Sequence, residues 1–339
     1  MAYDFELDRI INFIKERKAK TVLIQLADGL KQYAEGICNV VESKADCTCI
    51  VSADPCYGFC DVAEDEAKRL GVDVIVHIGH SRSPQRFSIP VLFIEAYSKL
   101  DVGRAVIRAA EVAKEVGLKK VGLCVSVQHL KELPKAENIL RERGLQVFVG
   151  EDPRGVLKRG QVIGCDVTTA LSIADCVDGF IVISGGIFHA LGVALFTGKR
   201  VIVADPYRGD AKDISSEVKR ILAIRWYAIS KLKDARKVGI VIGLKSGQMH
   251  LAQALKLKEA LENTGKEVML LALREITPEA LIPYGGIEVF VIAACPRIPI
   301  DDYSNFHKPV LNIMEAYMYL QKYMGDYHKF YKTSAALLS

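Results

Sequence analysis

The chain has 339 residues, of which half are hydrophobic and a quarter charged. That profile belongs to a globular protein too long for one ordinary core, so two or three domains are expected. The net charge of +4 is weak for this length, and Lys and Arg are mixed with Glu and Asp, as in KEVGLKK, which argues against direct nucleic-acid binding through a basic face.

Residues 4–17, DFELDRIINFIKER, place Leu7, Ile10, Ile11 and Ile14 at i, i+3, i+4 and i+7. This spacing predicts an amphipathic helix packed on a domain, and no secretory signal opens the chain. AKTVLIQLADG at 19–29 then begins a pattern that returns as KKVGLCVSVQH at 119–129 and RKVGIVIGLKSG at 236–247. A second set comprises VDVIVHIGHS at 72–81, VDGFIVISGG at 177–186 and IEVFVIAACP at 287–296. A third comprises PVLFIEAY at 90–97, RVIVADPY at 200–207 and PVLNIMEAY at 309–317. The second and third sets recur every ~105–110 residues, the size of a small domain.

Short β-branched runs without polar alternation, separated by helical patterns, predict parallel strands buried on both faces. The expected fold is α/β: three similar small domains, each a four-stranded mostly parallel sheet flanked by helices, around a pseudo-threefold centre. The expected boundaries are 1–104, 105–212 and 213–339, the last with a C-terminal helix. Helical patterns at 102–116 and 210–232 join the units. The uncharged run at 179–196, GFIVISGGIFHALGVALF, is interrupted by four glycines and a serine, so it reads as a strand, a loop and a buried helix rather than a membrane span.

Nine cysteines in such a chain point to thiol, metal or redox chemistry in the cytoplasm, not to a disulfide scaffold. Ligands of open α/β sheets bind beyond the carboxyl ends of the strands. Cys60, in DPCYGFCDVAED, and Cys165, in IGCDVTTA, each follow the second strand of their unit and precede an Asp. Cys295, in AACPR, closes the third strand of the third unit. Three thiolates suit an iron–sulfur cluster with one iron left open. Zinc is the rival metal, but the paired Cys-x-x-Cys knuckles of structural zinc sites are absent. Cys38, Cys124 and Cys176 read as core thiols, Cys47 and Cys49 as structural, and Cys56 competes as a ligand beside Cys60.

DPCYGFCDVA, SGGIFHALG, GLKSGQ and ACPRIPIDDY together resemble the archaeal-type diphthamide biosynthesis enzymes, the 2-(3-amino-3-carboxypropyl)histidine synthase family. The likeness extends from QLADGLK at 25–31 to the Tyr-rich end, and GLKSGQ carries Leu244 where the family more often has Thr. The resemblance implies one 4Fe-4S cluster on Cys60, Cys165 and Cys295, with S-adenosylmethionine meeting the open iron. It also implies cleavage between sulfur and the methionine γ-carbon. The 3-amino-3-carboxypropyl radical then adds to C2 of a histidine imidazole on translation elongation factor 2, and methylthioadenosine leaves. The family's archaeal form is a homodimer and needs an electron donor. Ala63 stands where the last cysteine of a Cys-x-x-x-Cys-x-x-Cys radical loop would be. The rival readings are a quinolinate synthase-like lyase, which also has three α/β domains around a three-cysteine cluster, and a non-enzymatic iron–sulfur protein.

The expected cofactor-contact residues are Asp28, Gly29, His80, Gly185, Gly186, His189, Lys245, Gln248 and Arg297. Arg297 suits a bidentate grip on the substrate carboxylate, with an interdomain ion pair as the alternative. Gly185 and Gly186 permit close backbone approach before a helix start, or simply a tight turn. His80 and His189 occupy matching loops, and structural histidines are the common outcome there. Asp28, Lys245 and Gln248 follow first strands and suit a polar pocket or the surface. Tyr317, Tyr319, Tyr323 and Tyr327 read as a packed terminal helix, with a dimer surface as the alternative. Phosphate-binding and serine-nucleophile motifs are absent.

Overall fold

The computed structural model describes residues 2–323 and 325–333. The β-branched runs form three sheets from three successive segments. The first contains Thr21–Leu26, Thr48–Ser52, Val74–Ile78 and Val91–Ile94, all parallel, in the spatial order second, first, third, fourth. Lys237–Gly243, Glu267–Leu273, Val289–Ala293 and Val310–Asn312 repeat that order in the third sheet. The second sheet uses Lys120–Val125, Gln146–Phe148, Gly179–Ile183 and Arg200–Asp205 in the same arrangement.

The second sheet also departs from the four-strand expectation. Asp210–Asp213 adds a fifth, antiparallel strand against Arg200–Asp205. The chain reverses there through Gly209, whose φ of 63° is open to glycine without steric cost. The joining helix expected over 210–232 therefore begins later, spanning Ser215–Asp234. The other joint, Gly103–Glu115, matches its pattern, as does the first helix, Leu7–Glu16, which buries Ile10, Ile11 and Ile14.

Each sheet is apolar on both faces, as parallel strands covered by helices require. In the first, Val22, Ile24, Val74 and Val76 pack with Ile10 and Ile37, while Leu23 and Ile75 pack with Ala67 and Phe93. The 179–196 run divides into the strand Gly179–Ile183 and the helix Phe188–Thr197 with its buried Ala190, Leu191 and Val193. Among the described residues, no helix is long and apolar enough to cross a membrane.

The aromatic end forms two helices, Ile313–Leu320 and Tyr327–Thr333, rather than one. Lys322, with φ of 51°, takes the chain out of the first. That helix starts with a capping box between Asn312 and Glu315. Glu315 is fully buried and accepts from Arg225 Nε at 2.7 Å and Nη2 at 2.8 Å, and from the Tyr327 hydroxyl at 2.7 Å. Carbonyl oxygens of Pro299 and Val310 take further guanidinium protons, which offsets the desolvation of the pair. Residues 334–339, assigned to the third unit by its sequence, lie outside the described residues.

Candidate metal centre

Cys60 lies between the second and third strands of the first sheet and is fastened to the first loop of the third sheet. Its carbonyl accepts from Gly247 N–H at 3.0 Å, and its sulfur accepts from Gln248 Nε2 at 3.3 Å. A Cβ on Gly247 would come within 2.6 Å of the Cys60 Cα and carbonyl oxygen, so this approach requires glycine. The neighbouring Asp61 carboxylate accepts from Lys245 Nζ at 2.8 Å, and the Asp61 carbonyl accepts from Gln25 Nε2 at 2.7 Å.

Cys165 lies in the long connection between Gln146–Phe148 and the third strand of the second sheet. Asp166 turns the chain there, accepting from the Thr168 backbone N–H at 3.0 Å and its hydroxyl at 2.7 Å. Arg154 holds Asp166 at 2.5 Å and also grips the buried Asp152 through Nε and Nη2. On its other side the carbonyl of Gly164 accepts from Arg297 Nη1 at 3.0 Å. Arg297 is two residues beyond Cys295, so the loops carrying Cys165 and Cys295 share one guanidinium.

The three thiols are within electrostatic reach of one another. Burial raises the Cys165 thiol, and the thiols of Cys295 and Cys60 raise it further. Burial and then Cys60 push Cys295 up to about 11. Burial likewise raises Cys60, against the hydrogen bond from Gln248. Cys165 is nevertheless exposed to solvent as a residue. Three thiols from three different sheets that act on one another electrostatically suit a polycationic iron centre that displaces their protons on binding. The residues present thus fit an iron–sulfur cluster.

The other cysteines divide. Cys124 is buried and Cys38, Cys47 and Cys49 are half-buried, in keeping with structural roles, whereas Cys176, expected in the core, is exposed at the end of a short turn. All nine cysteines are free thiols.

Arg297 is engaged by the protein rather than held out for a substrate carboxylate. Nε and Nη2 donate to the two oxygens of Asp301 at 2.7 Å each, and Nη2 also donates to the Phe188 carbonyl at 3.0 Å. Its ion pair is local, to Asp301, and its contacts with the second sheet's loops are hydrogen bonds to carbonyl oxygens. Lys245 is similarly internal: it is buried, bridges Asp61 and Glu275, and lies over the Tyr57 ring at 4.4 Å.

Gln248 reaches the Cys60 sulfur itself. Asp28 and Gly29 begin a short 3-10 turn and are exposed, with Asp28 paired to Lys31 at 2.6 Å. Gly185 and Gly186 are exposed on the second sheet's loop, where Gly186 N–H donates to Asp205 at 3.1 Å. His80 Nδ1 is hydrogen-bonded to His77 Nε2 at 2.9 Å.

His189 and His129 add buried nitrogens to this region. His189 Nδ1 and both ring nitrogens of His129 have no hydrogen-bond partner among the described residues. Burial pushes His80, His129 and His189 each down to about 4, and His189 senses Arg297, His129 and His80. His129 is 1% exposed and stands edge-on to Tyr207 at 5.5 Å. It escaped the sequence reading, although it ends the KKVGLCVSVQH run, in a loop equivalent to those already singled out.

The diphthamide synthesis protein family matches the chain over residues 26–329. The 2-(3-amino-3-carboxypropyl)histidine synthase of Pyrococcus horikoshii is 32% identical, with 93% of this chain and 90% of that protein aligned. Subunit 1 of the synthase from Kluyveromyces lactis is 27% identical, with 97% and 78% aligned. The crystal structure of Dph2 from Pyrococcus horikoshii with a 4Fe-4S cluster superposes with a TM-score of 0.86 at 31% identity, covering 96% of this chain and 93% of that one. With three sheets in the expected places and a family match across nearly all its length, this chain belongs to the diphthamide synthesis protein family.

Proposed function

We propose that the protein transfers a 3-amino-3-carboxypropyl group from S-adenosylmethionine to C2 of a histidine imidazole in translation elongation factor 2, the first step of diphthamide biosynthesis. The observation that carries this reading is the convergence of Cys60, Cys165 and Cys295 from three different sheets to within electrostatic reach of one another. These cysteines would hold a 4Fe-4S cluster by three corners. When bound, the cluster supplies the electron that breaks the sulfonium carbon–sulfur bond.

The chain's own residues position and shield. Gln248 donates to the Cys60 sulfur, and Arg297 and Lys245 lock the three cysteine-bearing loops together. Which carbon–sulfur bond breaks is then a matter of which carbon the pocket presents. His80, His129, His189, Gly185 and Gly186 supply polar and close-approach surface for S-adenosylmethionine. The unpartnered nitrogens of His129 and His189 support that assignment, because an unmade buried hydrogen bond costs about 1–3 kcal/mol until a ligand satisfies it. Asp28 and Gly29, both exposed, complete the set.

The same reading divides the chain at 1–104, 105–212 and 213–339 around a pseudo-threefold centre, supported by the common strand order of the sheets. It places the protein in the cytoplasm as a homodimer served by a separate electron donor.

The test is anaerobic reconstitution followed by dithionite and S-adenosylmethionine. Methylthioadenosine without 5′-deoxyadenosine is expected, with label from the methionine moiety appearing on the elongation factor. Release of 5′-deoxyadenosine alone would reject the bond choice. Cys165→Ala is expected to strip iron and Cys176→Ala to retain it; equal iron in both would reject the ligand set.

A further inference from the structure

We propose that Cys56, His77 and His80 form a second metal site, distinct from the three-cysteine centre, that takes one zinc-like divalent cation. The Cys56 sulfur and one ring nitrogen of each histidine all lie within 4.8 Å of one another. Cys56 is 4% exposed and His77 fully buried. One sulfur and two imidazole nitrogens form a borderline-soft donor set, suited to zinc or cobalt and unsuited to magnesium or calcium, which seek oxygen. Three protein ligands leave a fourth position for water or another small ligand.

Hydrogen bonds fix the orientation of the central ligand. Gln25 and His77 are register partners on adjacent strands. Gln25 Nε2 donates to the Asp61 carbonyl at 2.7 Å, so its Oε1 is the acceptor for Ala63 N–H at 3.0 Å and for His77 Nδ1 at 2.8 Å. His77 therefore carries its proton on Nδ1 and turns a bare Nε2 lone pair toward His80 Nδ1, 2.9 Å away. An amide oxygen behind one imidazole nitrogen is the arrangement that orients a metal-binding histidine and increases its basicity.

Without an ion, the His80 Nδ1 proton fills the His77 lone pair. With one, that proton moves to His80 Nε2 and the Cys56 thiol gives up its own. Net release is one proton per ion. The carboxylates of Asp28 and Asp61 both act on Cys56, and their negative charge favours a cation there. The ion would clip the segment that ends in Cys60 to the end of strand Val74–Ile78.

The test uses the full-length protein, reconstituted with iron and sulfide under nitrogen, incubated with equimolar zinc and desalted. Iron and zinc are counted separately, and zinc K-edge absorption reads the zinc ligands without interference from iron. One zinc per chain is expected above the cluster iron, with a shell of one sulfur and two imidazoles. Titration in two buffers of different ionisation enthalpy is expected to show one proton released per zinc. Cys56→Ser, nearly isosteric, is expected to keep its iron and weaken zinc at least about ten-fold; His77→Gln is expected to do the same. Zinc below a tenth per chain in the iron-loaded protein would overturn the proposal. So would a shell of several sulfurs, a shell of nitrogen and oxygen only, or affinity unchanged by Cys56→Ser. Zinc bound as expected in a protein that never acquires iron would uphold this site while rejecting the cluster.

Discussion

Arg297 Nη1 donates to the carbonyl oxygen of Gly164 at 3.0 Å, which places one guanidinium between the residue preceding Cys165 and the loop following Cys295. Arg297→Met would leave Asp301 and two carbonyls without their cation, at a cost of about 1–3 kcal/mol, because Asp301 itself stays accessible to water. Denaturant unfolding is expected to show that loss, and iron per chain to fall with it. Arg297→Lys, which keeps charge without the fork, is expected to lie between. Full iron and normal stability with only a raised KM for S-adenosylmethionine would instead make Arg297 a substrate-carboxylate residue.

Gly247 tests the contact between the first and third sheets. Gly247→Ala forces a methyl against the Cys60 backbone, and overpacking of this kind costs about 1–3 kcal/mol. The cluster's electron paramagnetic resonance signal is expected to broaden or weaken. Gly29→Ala, where a Cβ meets nothing within 4 Å, is the control and is expected to leave the signal unchanged.

Asp152 links the Cys165 loop to acid stability. Arg154, followed by the backbone donors of Leu157 and Arg154, holds its carboxyl down to about 2 from an ordinary 3.8. Because the folded value lies below the unfolded one, the stabilisation is complete above about pH 4 and vanishes as pH falls toward 2. Asp152→Asn is expected to cost about 2 kcal/mol at pH 7 and nothing near pH 2. A deficit independent of pH would show that the carboxylate charge is not the cause.

His129 works in the opposite direction. Burial holds it neutral down to about 4, against an ordinary 6.5. Below 6.5 the unfolded chain takes up a proton that the folded chain refuses, so stability declines toward pH 4 by up to ~1.4 kcal/mol per unit. His129→Phe is expected to remove that share of the slope in urea unfolding between pH 6.5 and 4.5. It is also expected to raise the KM for S-adenosylmethionine. An unchanged slope would contradict the burial argument.

The strands were legible because runs such as VLIQL and VFVIA are apolar, rich in β-branched residues and bounded by turns. Asp210–Asp213 was not legible: DAKD has no apolar face, and its pairing is set by the hairpin before it. The engagements of Arg297 and Lys245 were hidden for another reason. Their partners Gly164 and Asp61 are 133 and 184 residues away, and no local pattern records which carboxylate or carbonyl a distant loop will offer. Both residues, candidate cofactor contacts by their position in sequence, have these engagements within the fold. His129 carries no distinguishing signal in sequence; its unpartnered buried nitrogens are what set it apart.

Distributing the three thiols over three sheets also has a consequence during synthesis. A ribosome must release residue 295 before the last sulfur exists, and the third sheet is completed only with Val310–Asn312. With the proposed ligand set, the cluster can be completed only after nearly the entire polypeptide has been translated.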